Sequence, residues 1–235
     1  MWILSMLTAA IAPGIALLAY VYLKDRYDAE PIHMVARMFI VGALIVLPIA
    51  VIQRGLSLEL GDSPFVQAFL ISAGVEEALK WFVLYHMIYN HTEFDEPYDG
   101  IVYAAAVSLG FATIENVLYA LLLPVSFGSL IFRALLPVSG HALFGVLMGY
   151  HIGKAKFAAG RYRKHLAASF LVPIFWHGAF DYILLAFEQY WMLLIVPLMV
   201  YLWIRGGLKI RRANDRSPFR SMPRDEKIKM ERIRP

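Results

Sequence analysis

Apolar stretches fall near residues 2–23, 32–53, 65–89, 101–124, 130–153, 166–187 and 190–204, most of them close to the ~20 residues a helix needs to cross ~30 Å of hydrocarbon. Seven such stretches in 235 residues leave almost no chain for a water-soluble domain. Hydrophobic residues make up 60% of the chain and charged ones 17%, whereas a soluble domain is nearer half apolar and a quarter charged. The expected fold is therefore all-α and polytopic, a bundle of about seven transmembrane helices. Cysteine is absent, which excludes disulfides, thiolate metal ligands and a cysteine nucleophile together. No internal repeat, low-complexity tract or interdomain linker interrupts the pattern.

The placement of charge sets the expected topology. Lys24, Arg26 and Arg37 flank the first turn-round, and Lys154, Lys156, Arg161, Arg163 and Lys164 lie between the fifth and sixth spans. Eleven more Lys or Arg occupy positions 205 to 234. The positive-inside rule makes those regions cytoplasmic, so seven crossings put the N-terminus outside and the C-terminus inside. Segments 54–64, 125–129 and 188–189 become outer loops whose only Lys or Arg is Arg54. The segment from Asn90 to Gly100 must also be cytoplasmic, and its Glu93, Asp95, Glu96 and Asp99 count for little in this rule. The opening MWILSM lacks the basic n-region of a cleaved signal, so the first span is read as a retained anchor. The expected organisation is a transmembrane unit over 1–205 and a basic cytoplasmic tail over 206–235, whose charge suits topology and solvation more than nucleic-acid or lipid recognition.

The informative residues are polar ones inside the spans. Glu76 and Glu77 sit about halfway through the third, with Lys80 one turn beyond Glu76. Each central acid or Lys costs about 2.5 to 3.5 kcal/mol on insertion scales, so a decorative group there makes little sense. Glu76 and Lys80 share a face and can pair, while Glu77 points about 100° away toward another neighbour. Two adjacent carboxylates in low dielectric demand a proton or a cation. The fourth span carries Glu115 and Asn116, suited either to orienting a ligand or to bonding neighbouring helices. In the fifth, His141, Gly145 and Gly149 recur every fourth residue, which puts His141 on a closely packed face. In the sixth, His177 and Asp181 are four apart, so Asp181 can orient the imidazole or share a metal or substrate atom with it. Each polar residue falls 11 to 15 positions from the start of its span, a depth that lets Glu76, Glu77, Glu115, His141, His177 and Asp181 share one membrane layer.

No GxSG of a rhomboid-type serine site occurs, nor the GxGD of a presenilin-type aspartyl site, nor an HExxH zinc motif. Carboxylate and imidazole remain. A Glu can act as general base on water and His can bind a divalent metal or polarise a carbonyl, which fits hydrolysis of an acyl bond. The same buried Glu, His and Lys also suit a proton relay in an ion-coupled transporter, the alternative reading.

Glu76-Glu77-Ala78-Leu79-Lys80 resembles an EExxK motif, Phe111 to Asn116 an FAxxEN motif, His141 with Gly145 an HxxxG motif, and His177 with Asp181 an HxxxD motif. In this order, over about 110 residues, they resemble the PrsW family of intramembrane proteases, itself distantly similar to CAAX-processing and ABI proteases. The resemblance covers roughly residues 1–205. It implies a multi-pass protein of the bacterial cell membrane and a presumed metallopeptidase. It also implies a substrate, a single-pass membrane protein such as an anti-sigma factor, whose first cut leads to sigma factor release. By that similarity Glu76, Glu77 and His177 are essential, with His141 and Asp181 as further site members. The residue reading adds Glu115 to the catalytic set, Lys80 and Asn116 as auxiliaries, and zinc on His141, His177 and either Asp181 or a carboxylate of Glu76–Glu77.

Overall fold

The computed structural model describes residues 2–124, 126–157 and 160–221. Among these the regular structure is entirely helical. α1 (Trp2–Leu23) is one apolar rod, and α2 (Ile32–Leu44) with α3 (Val46–Leu60) forms a second pass broken only at Ile45. α3 stops at Gly61, whose φ of 80° lies in the left-handed region that a Cβ disfavours. The third pass starts as a π-helical segment, Val66–Ser72, and continues as α4 (Ala73–Ile88). α5 (Asp99–Leu122) is the fourth. The fifth is composite: α6 (Phe127–Arg133), a second π-helical segment over Ala134–Val138 containing Pro137, and α7 (Ser139–Phe157). α8 (Tyr162–Ala186) and α9 (Trp191–Asn214) complete the bundle.

Six of the passes are long and apolar enough to cross a membrane. The third is also long enough, but any 18-residue stretch of it contains Glu76, Glu77 and Lys80. Those charges are buried in protein and do not face lipid, which is the condition under which a membrane helix tolerates them. α5 and α7 form the centre of the bundle, with 78% of the apolar window of α5 buried, against 22% for α1 and α9. The two central helices cross on glycine: a Cβ added at Gly149 would stand 2.1 Å from the Gly100 carbonyl oxygen, and one at Gly145 would stand 2.8 Å from Ser108 Oγ. The four-residue spacing of His141, Gly145 and Gly149 thus serves the close approach expected of it.

Helices run past several apolar stretches, because backbone hydrogen bonding continues after the side chains turn polar. The expected outer loop 54–64 is helical as far as Leu60, and 125–129 already enters α6 at Phe127. The boundary at 205/206 falls inside α9, which continues to Asn214, where the Asn214 amide donates to the Lys24 carbonyl at 3.2 Å. A 3₁₀ turn, Pro218–Ser221, follows, with Phe219 buried; the rest of the expected tail, 222–235, lies outside the described residues.

The loops after α1 and α4 meet at the same end of the bundle as the end of α9, where the Tyr98 hydroxyl donates to the Val21 carbonyl at 2.8 Å. There Asp25, Glu96 and Asp99 bring one carboxylate oxygen each within 4.8 Å of one another. Asp99 accepts the backbone N–H groups of Asp95 and Glu96 at 2.8 and 2.7 Å. Burial pushes Asp25 up to about 6, Glu30 to about 8 and Glu96 to about 9, and repulsion from neighbouring acids adds to each.

Candidate functional site

The two π segments stand immediately before the two helices that carry most of the candidate site. A π turn is a recurrent feature of functional positions in helices. After the first, the opening of α4 sets Glu76, Glu77 and Lys80 in the bundle interior; after the second, α7 sets His141 there. In α8, Pro173 lacks the N–H that would bond the turn before it, one turn ahead of His177.

The side chains form one connected chain of polar contacts across four passes. Asp181 Oδ2 lies 3.4 Å from His177 Nε2, and His177 Nδ1 lies 2.9 Å from Glu77 Oε1. Lys80 Nζ donates to Glu77 Oε1 at 2.8 Å and to Glu76 Oε2 at 3.2 Å, and stands 3.2 Å from His141 Nδ1. His141 Nε2 lies 3.2 Å from Glu115 Oε2, and Glu115 Oε1 pairs with Arg133 at 3.3 Å. An ammonium only donates, so His141 Nδ1 accepts from Lys80 and the ring proton sits on Nε2, toward Glu115. The imidazole rings of His141 and His177 lie 5.0 Å apart at 89°, and Phe144 stacks on His177 at 4.8 Å. Phe111 closes the other side, its ring centroid 4.1 Å from Lys80 Nζ.

The six residues expected in one layer therefore meet. Lys80 differs from the expected single partnership with Glu76: its long stem spans both i−4 and i−3, and the shorter contact is to Glu77. His177 differs as well, because its closer carboxylate partner is Glu77 and not Asp181. Asp181 is in turn bonded by Ser72 at 2.5 Å. Asn116 is turned to packing: it donates to the Ala10 carbonyl at 2.9 Å and accepts from Arg133 at 2.8 Å. Ser72, Arg133, and Gln53, which donates to Glu76 Oε1 at 3.2 Å, escaped the sequence reading. Ser72 stands one turn before Glu76, and Arg133 is a lone cation in an apolar stretch, two signals that were available.

A cavity of about 130 Å³ opens onto the cluster, lined by Glu76, Glu115, His141, His177 and Asp181 among others. Glu77 is absent from that lining and is fully buried. The fold and this site define a class: a polytopic membrane protein that encloses a small polar chamber of carboxylates and imidazoles at the meeting of four passes. A family profile described as PrsW family intramembrane metalloprotease matches residues 30–204, and the chain belongs to that family. It is thus a peptidase and a multi-pass protein of the bacterial membrane. "Protease PrsW" of Geobacillus kaustophilus is 51% identical over 220 residues, covering 93% of this chain and 96% of that protein. The protein of the same name from Bacillus subtilis is 51% identical over 211 residues, covering 89% and 95%. That of Clostridioides difficile is 32% identical over 212 residues, covering 85% and 87%. No solved structure matches.

The family description implies a metal, and the donors fit one. Glu76, Glu77, His141 and His177 each offer an atom within 4.8 Å of the others, all four buried. Glu77 Oε2 has no hydrogen-bond partner although it is buried. Two imidazoles with carboxylates are a set that zinc accepts. Lys80 supplies the positive charge that two adjacent buried carboxylates otherwise lack. Asp181, expected as a possible ligand, stands outside the group of four and beside His177.

Proposed function

We propose that the chain hydrolyses a peptide bond in a single-pass membrane protein by glutamate- and histidine-dependent chemistry. By the family resemblance this is the first cut in an anti-sigma factor, upstream of sigma factor release. The observation that carries the reading is the meeting of Glu76, Glu77, His141 and His177 beside a cavity of about 130 Å³ within the bundle. Glu76 lines that cavity and takes the proton from the attacking water. Glu77 is out of reach of it and holds His177 by Nδ1, while Asp181 steadies the same ring from the cavity side. Lys80 pairs with both glutamates, and Arg133 orients Glu115 against His141. Zinc held by His141, His177 and a carboxylate of the glutamate pair would supply Lewis acidity toward water and the scissile carbonyl. The transporter alternative gains no support from the relatives, which carry the name of a protease.

The test is cleavage of a co-expressed single-pass substrate by Glu76→Gln, Glu77→Gln and His177→Ala, with membrane insertion followed in parallel. Each variant should insert normally and lose cleavage. Normal cleavage would refute the site, and loss of the protein from the membrane would reassign these residues to packing. Elemental analysis with chelation tests the metal: full activity in protein shown to be metal-free removes zinc and leaves the glutamate mechanism standing.

A further inference from the structure

At the basic end of the bundle a cavity of about 450 Å³ opens between α1 and α9, lined by Tyr20, Lys24, Arg26, Arg211, Asn214 and Arg220 among others. Its wall carries one acid, Asp215, which Arg220 holds at 3.4 Å. Beneath it a narrower cleft of about 70 Å³ runs between the same two helices, with Leu17, Leu143, Val146 and Trp203 on its walls. Tyr20, Gly207 and Ile210 line both spaces, so the basic cavity sits directly on the apolar cleft. α1 and α9 each pack on α7 but scarcely on one another, which leaves the gap. A Cβ at Gly207 would meet nothing within 4 Å, so the junction is open there.

We infer that the two spaces form one site for an anionic phospholipid, with the phosphate in the basic cavity and the start of an acyl chain in the cleft. The order of chemistry along the membrane normal carries the assignment. Four cations stand at the helix ends and apolar walls lie deeper, which is the order in which a lipid presents phosphate and chain. Tyr20 and Trp203 keep 45% and 41% of their surface exposed, so the cleft is open sideways and the rest of the chain can lie along the bundle exterior. Asn214 on the cavity wall is buried and donates to the Lys24 carbonyl at 3.2 Å, which ties the end of α9 to the end of α1 and fixes the floor of the basic cavity. A free phosphate would satisfy the upper cavity alone and give the apolar cleft no role. The cleft also reaches Ala142, next to His141 on α7, so its occupant presses on the helix that carries the site.

The experiment is native mass spectrometry of the detergent-purified full chain with phosphatidylglycerol, with phosphatidylcholine of identical chains, and with inorganic phosphate. One phosphatidylglycerol should be retained at least tenfold more strongly than phosphatidylcholine, and phosphate at equal concentration should not displace it. Lys24→Gln with Arg211→Gln removes charge, and Gly207→Phe fills the junction without changing charge; each should weaken retention at least tenfold. Arg163→Gln with Lys164→Gln, in the basic first turn of α8, should change nothing. Unfolding temperatures are measured for every variant, and if Gly207→Phe folds poorly the double glutamine variant decides. Equal retention of phosphatidylcholine, displacement by phosphate alone, or an equal loss in the Arg163/Lys164 control would each overturn the assignment.

Discussion

Replacing Gly149 by alanine tests whether the close crossing of α5 and α7 is what assembles the site. The new Cβ would stand 2.1 Å from the Gly100 carbonyl oxygen and 2.6 Å from Ile101 Cα, both backbone atoms that no rotamer change can move. An ordinary contact begins near 3.4 Å, so the helices must part by about 1.3 Å. Alanine gains roughly 0.5–1 kcal/mol of helix propensity over glycine, while overpacking of this kind costs about 1–3 kcal/mol; with rigid backbone on both sides the cost wins. The disturbance lies eight residues from His141, about 12 Å along α7, and His141 must stay 3.2 Å from Glu115 on α5. A misplacement near 1 Å in a catalytic array lowers rate about 10²-fold. Gly149→Ala should therefore unfold earlier in a denaturing-detergent titration and cleave about a hundredfold more slowly. Gly55→Ala, whose Cβ meets nothing within 4 Å, should leave both unchanged or slightly raise stability. Wild-type stability and cleavage in Gly149→Ala would refute the reasoning.

Lys80→Met should cost about 3–5 kcal/mol, because it leaves two adjacent buried carboxylates without their cation, and Lys80→Met with Glu77→Gln should recover part of that in the same unfolding assay. Arg133→Met removes one partner each from Glu115 and Asn116 and should slow cleavage roughly 10- to 100-fold, with Arg133→Lys restoring part of the rate. Stability should fall as pH rises from mildly acidic to alkaline. Folded Asp25, Glu30 and Glu96 hold protons to about 6, 8 and 9, which the unfolded chain releases near 4, so the folded state binds more protons across that window. Unfolding temperature against pH should show this slope, and Glu96→Gln should flatten its upper part.

Apolar length marked out seven passes, of which six are long and apolar enough to cross a membrane among the described residues and the third is not, and the spacing of EExxK, FAxxEN, HxxxG and HxxxD marked the residues that meet in the bundle. These were legible because each is a short-range relation on one helix, and mid-span charge is too costly to be incidental. The partnerships were not. Which carboxylate holds His177 depends on the rotation of α8 against α4, helices far apart in the chain, and that Lys80 reaches both glutamates is a rotamer choice within α4 that residue spacing leaves open. Arg133 and Gln53 were missed because single polar residues near span ends look like boundary markers, and Ser72 because a lone serine inside a span is commonplace, until a partner is seen across the bundle. The winding of 66–72 and 134–138 was hidden too, since hydrophobicity does not distinguish a π turn from an α turn.

Those two segments have a consequence for how a polar chamber is built at a depth where no loop is permitted. A π turn carries more residues than an α turn, so the helix beyond it is rotated relative to the helix before it, by about 100° for each residue gained. Leu70 and Leu135 lie within the π segments and face outward, while Glu76, Glu77 and His141, a turn or two further on, face inward. Within the π segments both faces are represented, with Ala68, Ile71 and Val138 buried beside the exposed Leu70 and Leu135, so each segment is where the pass resets which of its side chains point into the bundle. A pass wound in this way can change which side chains face inward without a loop, and so can carry Glu76, Glu77 and His141 into the protein interior while Leu70 and Leu135 stay on its apolar exterior.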